Sequence, residues 1–585
     1  VFVPVAFMGG IPGEFFRPFA FTAAVAVLFS LLVARMLTPM MAAYMLKPHP
    51  EVEAPGRIKR KYLEFIEWCL HHRRKTLAVA SALLIGCFSL TFFIPTGFAP
   101  AGDLGFAVLS VELPPGATLE ETRSVAETIR HRLSKMPEVE SVYSIVGSGG
   151  GGGGPGGGDS TANVRQASLT IRLVPAEERD LTQQEFQMRA ARELRDIPGV
   201  RLSFGAQTGS KLQITLAGDD SELLDLAASA VERDLRTIPG LGNVTSSASL
   251  MKPEIVIRPL PDRAAELGVT TDTLSAITRI ATSGDVETNL AKLNLPSRQI
   301  PIRVQLPEGI RGDLERIRLM PVPGKNGPVP LMSVADVSFG AGPARITRYD
   351  RSRNITIEAD LNGQPLGDVL QKAYQLPSLR NLPAGVRLVP SGEAEFMIEL
   401  FQGFAQAMIV GILCVYLLLV LLFREFLQPL TILSALPPSG GGALLFLFLT
   451  NYQMSVPSLI GMLMLMGIVT KNSILLVEYA IRAMREGKPR FEAIMDACSK
   501  RARPIVMTTI AMGAGMLPVA MGWSGDPSFR APMGVAVIGG LLASTALSLF
   551  VVPVLFTLTD DLKQKLQRAF GRREARTGEA AAVNS

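Results

Sequence analysis

An α+β membrane protein, with a bundle of transmembrane helices interrupted by one large soluble block, is what three features of these 585 residues predict. Apolar runs long enough to cross a bilayer lie on both sides of a polar stretch between Ile94 and Leu400. Basic residues crowd alternate loops between those runs, and a β-α-β pattern recurs inside the polar stretch. Composition agrees with this mixture. At 48% hydrophobic the chain is too apolar for an ordinary soluble protein, and at 19% charged it is too polar for a bare bundle. The net charge of +6 needs no nucleic acid, because most of the excess sits in loops flanking the apolar runs.

Taken in order, the chain opens inside a short apolar run, Val1–Met8, without Met or the layout of a signal peptide, which reads as a fragment cut within a helix. Spans of about 20 residues follow at Phe19–Leu46, Thr76–Ile94, Leu400–Phe423, Pro429–Thr450, Val456–Ile481, Pro504–Trp523 and Met533–Leu558. Lys47, Arg57, Lys59, Arg60, Lys61, Arg73, Arg74 and Lys75 fill one loop, and Arg482, Arg485, Lys488, Arg490, Lys500, Arg501 and Arg503 another. The loops Asn451–Ser455 and Ser524–Pro532 carry almost no basic residues. The positive-inside rule therefore puts the basic loops in the cytoplasm and the block between Ile94 and Leu400 outside it. Tyr62–His71 has an amphipathic pattern suited to the inner membrane surface. Cys69, Cys87, Cys414 and Cys498 all lie in spans or cytoplasmic loops, so the outside block has no disulfide framework and no cysteine metal site.

In the outside block a helical run ends four times in a proline turn followed by a short strand: Met136-Pro137-Glu138-Val139, Ile197-Pro198-Gly199-Val200, Ile238-Pro239-Gly240-Leu241 and Leu382-Pro383-Ala384-Gly385-Val386. Alternating stretches at Phe106–Leu113, Ser168–Val174, Lys211–Leu216 and Ile355–Leu361 precede the helices. Each unit is then β-α-β, and two units make a split β-α-β sandwich. The wide gap between the third and fourth units requires an inserted subdomain near Pro259–Ala344. A glycine-rich stretch, Gly147–Asn163, separates the first two units. No GK[ST] follows it, which rules out a phosphate loop and leaves a linker or a mobile loop at a cleft. Neither Walker A, HExxH nor GxSxG occurs, so the reading is of a non-enzyme that needs no cofactor.

The span Val456–Ile481 carries the chemistry. Lys471 sits more than ten residues from either end, too deep to reach the headgroups easily. A cation at that depth costs roughly 2.5–3.5 kcal/mol on insertion scales, so it needs a partner or a function. Asn472 follows it, and Glu478 shares its helix face nearer the cytoplasmic end. In the next span Arg501 and Thr508 are seven residues apart, about 10 Å along one face, with Arg501 at the cytoplasmic mouth and Thr508 inside. Arg35, the other cation within a span, reads as a guanidinium reaching toward the headgroups. A polytopic protein with a buried lysine and no nucleotide site points to coupling by an ion gradient.

The segments Gly467–Ala480 and Arg501–Thr509, with the outside block followed by five spans, closely resemble the resistance–nodulation–division (RND) superfamily, specifically its hydrophobe/amphiphile efflux transporters of the acriflavine-resistance type. The resemblance covers the whole chain. It implies a remnant of the fifth and sixth transmembrane helices at 1–46, a cytoplasmic loop with an amphipathic helix at 47–75, and the seventh helix at 76–94. It further implies periplasmic, ferredoxin-like porter subdomains at 95–208 and at 209–258 with 345–396. A docking subdomain at 259–344, helices eight to twelve at 397–560 and a disordered cytoplasmic tail at 561–585 complete the set. Lys471, Thr508, Arg501 and Asn472 then match the proton relay, whose two aspartates, carried by the family's fourth helix, have no counterpart in this chain. Gly147 and Gly149, Gly150, Gly151, Gly152, Gly153 and Gly154 match the switch loop on the substrate path, with polyglycine where the family usually carries an aromatic. The implied function is proton-driven export of drugs or amphiphiles from a bacterial inner membrane. The implied assembly is a homotrimer with a periplasmic adaptor and an outer-membrane channel. The rivals are a metal-ion exporter of the same superfamily, which would need clustered soft ligands such as Met136, Met188, Met251, Met320, Met332 and Met397, and a non-transporting protein-export or sterol-sensing relative.

Overall fold

The computed structural model describes residues 2–45, 56–100, 102–148, 162–204, 211–249, 251–285, 289–311, 313–343, 346–523 and 527–582. Seven helical segments among them are long and apolar enough to cross a membrane. A short α1 (Phe2–Ala6) precedes α2 (Gly10–Met45), α3 (Arg57–His71) and α4 (Arg73–Ser89). After the outside block come α14 (Gly392–Phe423), α15 (Gln428–Leu433), α16 (Leu436–Leu449), α17 (Val456–Arg485), α18 (Arg490–Ala520) and α19 (Pro527–Ala582). The apolar run read from the sequence as one span, Pro429–Thr450, is two helices, because Pro437 and Pro438 in the first turn of α16 lack the N–H groups that would continue α15.

The loops sort onto two sides of this bundle. Met454 N–H donates to Pro95 O at 2.8 Å, Gly97 N–H to Met454 O at 3.1 Å and Val456 N–H to Phe98 O at 3.0 Å. The loop before α17 is thus stitched to the chain as it leaves α4 for the outside block. At the opposite end Arg73 pairs with Asp561 at 2.9 Å, Arg490 with Asp560 at 2.9 Å and Asp561 at 2.6 Å, and Lys563 with Glu425 at 2.7 Å. These pairs draw together the ends of α4, α18, α19 and the loop after α14. On that side α3 buries Ile66, Cys69 and Leu70, and Phe65 meets the edge of Phe550 at 5.0 Å.

α19 is helical from Pro527 to Ala582. Leu, Lys, Gln, Arg, Ala and Glu dominate Leu562–Ala582, all strong helix formers, and they propagate a helix already nucleated in the bundle.

In the outside block, β1 (Phe106–Glu112), α5 (Leu119–Leu133), β2 (Val139–Ser148), β3 (Ala162–Leu173), α6 (Gln183–Glu193) and β4 (Arg201–Phe204) build an antiparallel sheet of order β2-β3-β1-β4. That is the split β-α-β topology. The next elements are β5 (Lys211–Gly218), α7 (Ser221–Leu235), β6 (Gly242–Ser246) and β7 (Met251–Pro259). The insertion then holds α8 (Pro261–Leu267), α9 (Thr271–Thr282), β8 (Lys292–Asn294), β9 (Gln299–Pro301), α10 (Glu308–Arg311), α11 (Leu314–Arg318), β10 (Pro321–Gly324) and β11 (Gly327–Pro330). The chain returns through β12 (Ala335–Pro343), β13 (Thr347–Tyr349), β14 (Ser352–Asp360), α12 (Leu366–Tyr374), α13 (Pro377–Arg380) and β15 (Val386–Val389).

The second sheet has β14 between β5 and β6, with β15 on the far side of β5, so it repeats the order of the first. Its middle strands are separated by the insertion, which is entered and left through one ribbon, β7 paired with β12 from Met251↔Pro343 to Pro259↔Ala335. The ribbon starts at Met251, eight residues before the break at Pro259 expected from the sequence. The repeated proline turns work because the glycine after proline can take a left-handed conformation: φ is +72° at Gly199, +88° at Gly240 and +93° at Gly385.

Candidate functional site

Helices α17 and α18 are antiparallel neighbours, and their register follows from the contacts at one end. Lys500 Nζ donates to the Tyr479 hydroxyl at 2.9 Å, and the Arg501 guanidinium lies 5.3 Å from the Tyr479 ring centroid. Eight residues up α17 from Tyr479 is Lys471, and seven up α18 from Arg501 is Thr508. At 1.5 Å per residue both rise about 11–12 Å, so Lys471 and Thr508 stand at the same depth. Lys471 is exposed on α17, and no ion pair involves it among the described residues. Phe2 packs on Gly467, one helical turn away. The Thr508 hydroxyl donates to Ile505 O at 2.9 Å.

The structure separates Asn472 from Lys471. Asn472 is buried, 100° further round the helix, on the face toward α19. Leu465 meets Gly540 of α19, and seven residues on, Asn472 and Ser473 come level with the buried Ser544 and Ser548. Thr509 Oγ1 and Thr545 Oγ1 are 2.8 Å apart in the same layer. The relay match that takes Asn472 together with Lys471 comes from the resemblance, and a match along the sequence says nothing about which side of the helix faces inward.

Between the two sheets of the outside block lies a cleft whose lining residues the sequence reading did not name. One lobe, ≈ 610 Å³, is lined by Met188, Arg192, Arg195, Ile197, Val200, Leu241 and Asn243 among others. A second, ≈ 410 Å³, is lined by Val111, Glu112, Ala167, Lys211, Thr356 and Glu358. Both share Arg201, Leu202, Asn243, Thr245 and Asp360. Asn243 Nδ2 bridges the two sheets, donating to Leu202 O and to Asp360 Oδ2, each at 3.1 Å. Lys211 Nζ donates to Ser203 Oγ at 2.7 Å and lies 3.4 Å from Glu358.

Burial pushes the Asp360 carboxyl above its usual range, against the attraction of Lys211 and the Asn243 hydrogen bond, and Glu358 adds to the rise. Folded protein then keeps a proton that the unfolded chain releases near 3.8, and stability falls as pH rises through that window to the folded value. Asp360→Asn is expected to melt above wild type at neutral pH, with the difference closing below the ordinary aspartate value. Equal melting curves across the pH range would contradict this.

Gly147, with φ +84°, sits at an irregularity near the end of β2, which pairs antiparallel with β3. Gly149, Gly150, Gly151, Gly152, Gly153 and Gly154 lie outside the described residues. β2 ends at Ser148, two residues past the cross-strand row Val146–Ala167–Val111–Leu202, whose last three members line the cleft. The methionines of the metal reading do not converge. Met136, Met320 and Met397 are buried in three separate cores, Met332 is exposed, Met188 alone of these lines the cleft, and the side chain of Met251 is outside the description.

Seven span-length helical segments among the described residues, two split β-α-β sheets and a mid-helix lysine at the depth of Thr508 make up an RND-type transporter fold. The chain belongs to the AcrB/AcrD/AcrF family, whose profile matches residues 1–560. It is 29% identical over 594 residues to the multidrug resistance protein MdtC of Escherichia coli O139:H28, covering 97% of this chain and 56% of that protein. The MdtC of Shigella flexneri is 29% identical over 590 residues with the same coverage. The chain thus spans about half the length of the curated relatives it matches. Two crystal structures of a heavy metal efflux pump superpose with TM-scores of 0.77 and 0.78 at 24% and 25% identity. They cover 95% and 96% of this chain and 56% and 57% of theirs.

Proposed function

We propose that this chain is the C-terminal portion of an inner-membrane efflux transporter that exports drugs or other amphiphiles by proton antiport. The observation that carries the reading is the placement of Lys471 at the depth of Thr508, two turns above Arg501, in a family of transporters. Lys471 is the switchable charge, and Thr508 and Arg501 line the route to the cytoplasm. Its counter-charge comes from carboxylates outside this chain. Protonation of those carboxylates releases Lys471, alters helix packing and shifts the outside block between access states. The two sandwiches act as porter subdomains in the periplasm, the insertion as a docking subdomain, and the cleft between the sandwiches as part of the substrate path. The whole protein works as a homotrimer with a periplasmic adaptor and an outer-membrane channel.

The test uses the whole protein in a bacterial host stripped of its own pumps. Resistance to structurally varied amphiphiles, and dye export stopped by a protonophore, are expected. Protection against metal salts alone would instead favour the metal-exporter reading.

The glycine-rich stretch that follows Gly147 is the element proposed to tune substrate choice. Polyglycine loses more backbone entropy on ordering than any other composition, so alanines at Gly149–Gly154 stiffen it. This substitution is expected to change the substrate profile and leave folding intact. An unaltered profile would make the loop a connector only.

A further inference from the structure

Around the proposed relay's cytoplasmic mouth lies a cluster that none of the proposed steps uses. Tyr479 of α17 accepts from Lys500 Nζ at 2.9 Å, and its hydroxyl lies 3.5 Å from Asp496 Oδ2. Asp496 is held in turn by Lys488 at 2.6 Å and Lys500 at 3.2 Å. Over the ring of the same tyrosine sits the Arg501 guanidinium, 5.3 Å from its centroid. Arg501 Nε is buried and has no hydrogen-bond partner among the described residues.

That last pair of facts is informative. A guanidinium at a protein surface usually settles into a bidentate carboxylate pair, which occupies its donors. Here the nearby carboxylate is taken by two lysines, and Arg501 is held by an aromatic face instead. A π-face attracts the cation without consuming its N–H groups. The arginine is therefore fixed in place with its guanidinium not taken up by a carboxylate, and the part-exposed group suits a residue that must engage water or a mobile acceptor. Simple stitching of α17 to α18 does not require a guanidinium left free of a carboxylate.

We propose that Tyr479 is a positioning residue for Arg501, and that the Tyr479–Asp496–Lys500 link sets where the guanidinium rests at the mouth of the proton route. The ring supplies the docking surface, and the hydroxyl, tied to Asp496 and Lys500, fixes the ring's tilt. This rests on the proton-antiport reading above. The other charged groups nearby are accounted for: Arg482 pairs with Glu486 at 3.2 Å, Arg490 with Asp560 and Asp561, and Glu478 and Arg503 are exposed. From α3, Tyr62 faces Cys498 and His71 packs against Phe491 of α18.

The test measures dye efflux by the whole protein against external pH, with membrane abundance and assembly checked for each variant. Tyr479→Leu is expected to assemble normally, to lower the rate about fivefold, the order of one lost cation–π contact, and to shift the pH of half-maximal efflux. Tyr479→Phe keeps the ring and should retain most of the rate, with a smaller pH shift that Asp496→Asn reproduces. Combining Tyr479→Leu with Arg501→Ala should add little beyond Arg501→Ala alone. Should Tyr479→Leu fail to assemble, Tyr479→Phe and Asp496→Asn carry the test, since both keep the packing. Unchanged pH profiles in these variants, or additive losses in the double variant, overturn the proposal. Efflux by the wild type that ignores a protonophore overturns the proton-antiport reading itself, and this inference with it.

Discussion

Lys471→Met in the whole protein is expected to reduce resistance to the level of a host without the pump, while expression and assembly stay near normal. Methionine matches the length of the lysine stem and fits a lipid-depth helix, so the substitution removes a charge that costs roughly 2.5–3.5 kcal/mol to insert. A structural role for that charge would predict misassembly. A coupling role predicts a stable, silent protein, because the carboxylates that Lys471 serves lose the partner whose exchange drives the cycle. Thr508→Ala should give an intermediate loss, since its hydroxyl stands at the depth of Lys471 on the proposed route but carries no charge. Arg501→Ala should also impair export, with a milder loss near water. Drug susceptibilities and membrane abundance measured together decide the matter, and near-normal resistance in Lys471→Met would sink the coupling role.

Some of this was legible in the sequence because it depends on strong local rules. A helix that crosses a bilayer must show about 20 apolar residues, so the spans stand out. Helix ends in the outside block are marked by proline with a following glycine, and Gly199, Gly240 and Gly385 do adopt the positive φ that only such residues take cheaply. What the sequence hid is whatever depends on distant strands or on helix rotation. Asn243 meets Leu202 of the other sheet from 41 residues away, and its partner Asp360, on the neighbouring strand, is 117 residues away. The cluster on Tyr479 needed the register of two helices, and Asn472 needed to be known as inward-facing where its neighbour Lys471 faces out. The entry to the insertion at Met251 was hidden for a further reason: β7 has only a short consecutive apolar run, Ile255–Ile257, and its partner lies beyond the insertion it opens.

Two glycines of α16, Gly440 and Gly442, should behave oppositely, and this is the largest stability effect expected in the bundle. A Cβ at Gly442 would lie 2.3 Å from the Ala543 Cβ and 2.6 Å from the Gly539 carbonyl oxygen of α19. From the other side, a Cβ at Gly539 would lie 2.5 Å from Phe446 and 2.7 Å from the Gly442 carbonyl oxygen. Here neither backbone can yield without separating the two helices, and close backbone approach at small residues is what holds helices together in lipid. Gly440, two residues earlier, would place a Cβ 3.6 Å from the rim of Phe88, an ordinary contact. Gly442→Ala is therefore expected to cost about 1–3 kcal/mol by overpacking, read as a lower melting temperature and less folded protein in detergent. Gly440→Ala, which improves helix propensity by up to about 1 kcal/mol, should melt at or above wild type. Equal melting of the two variants would mean that α16 and α19 do not meet through Gly442, and that the register of this face of the bundle is different.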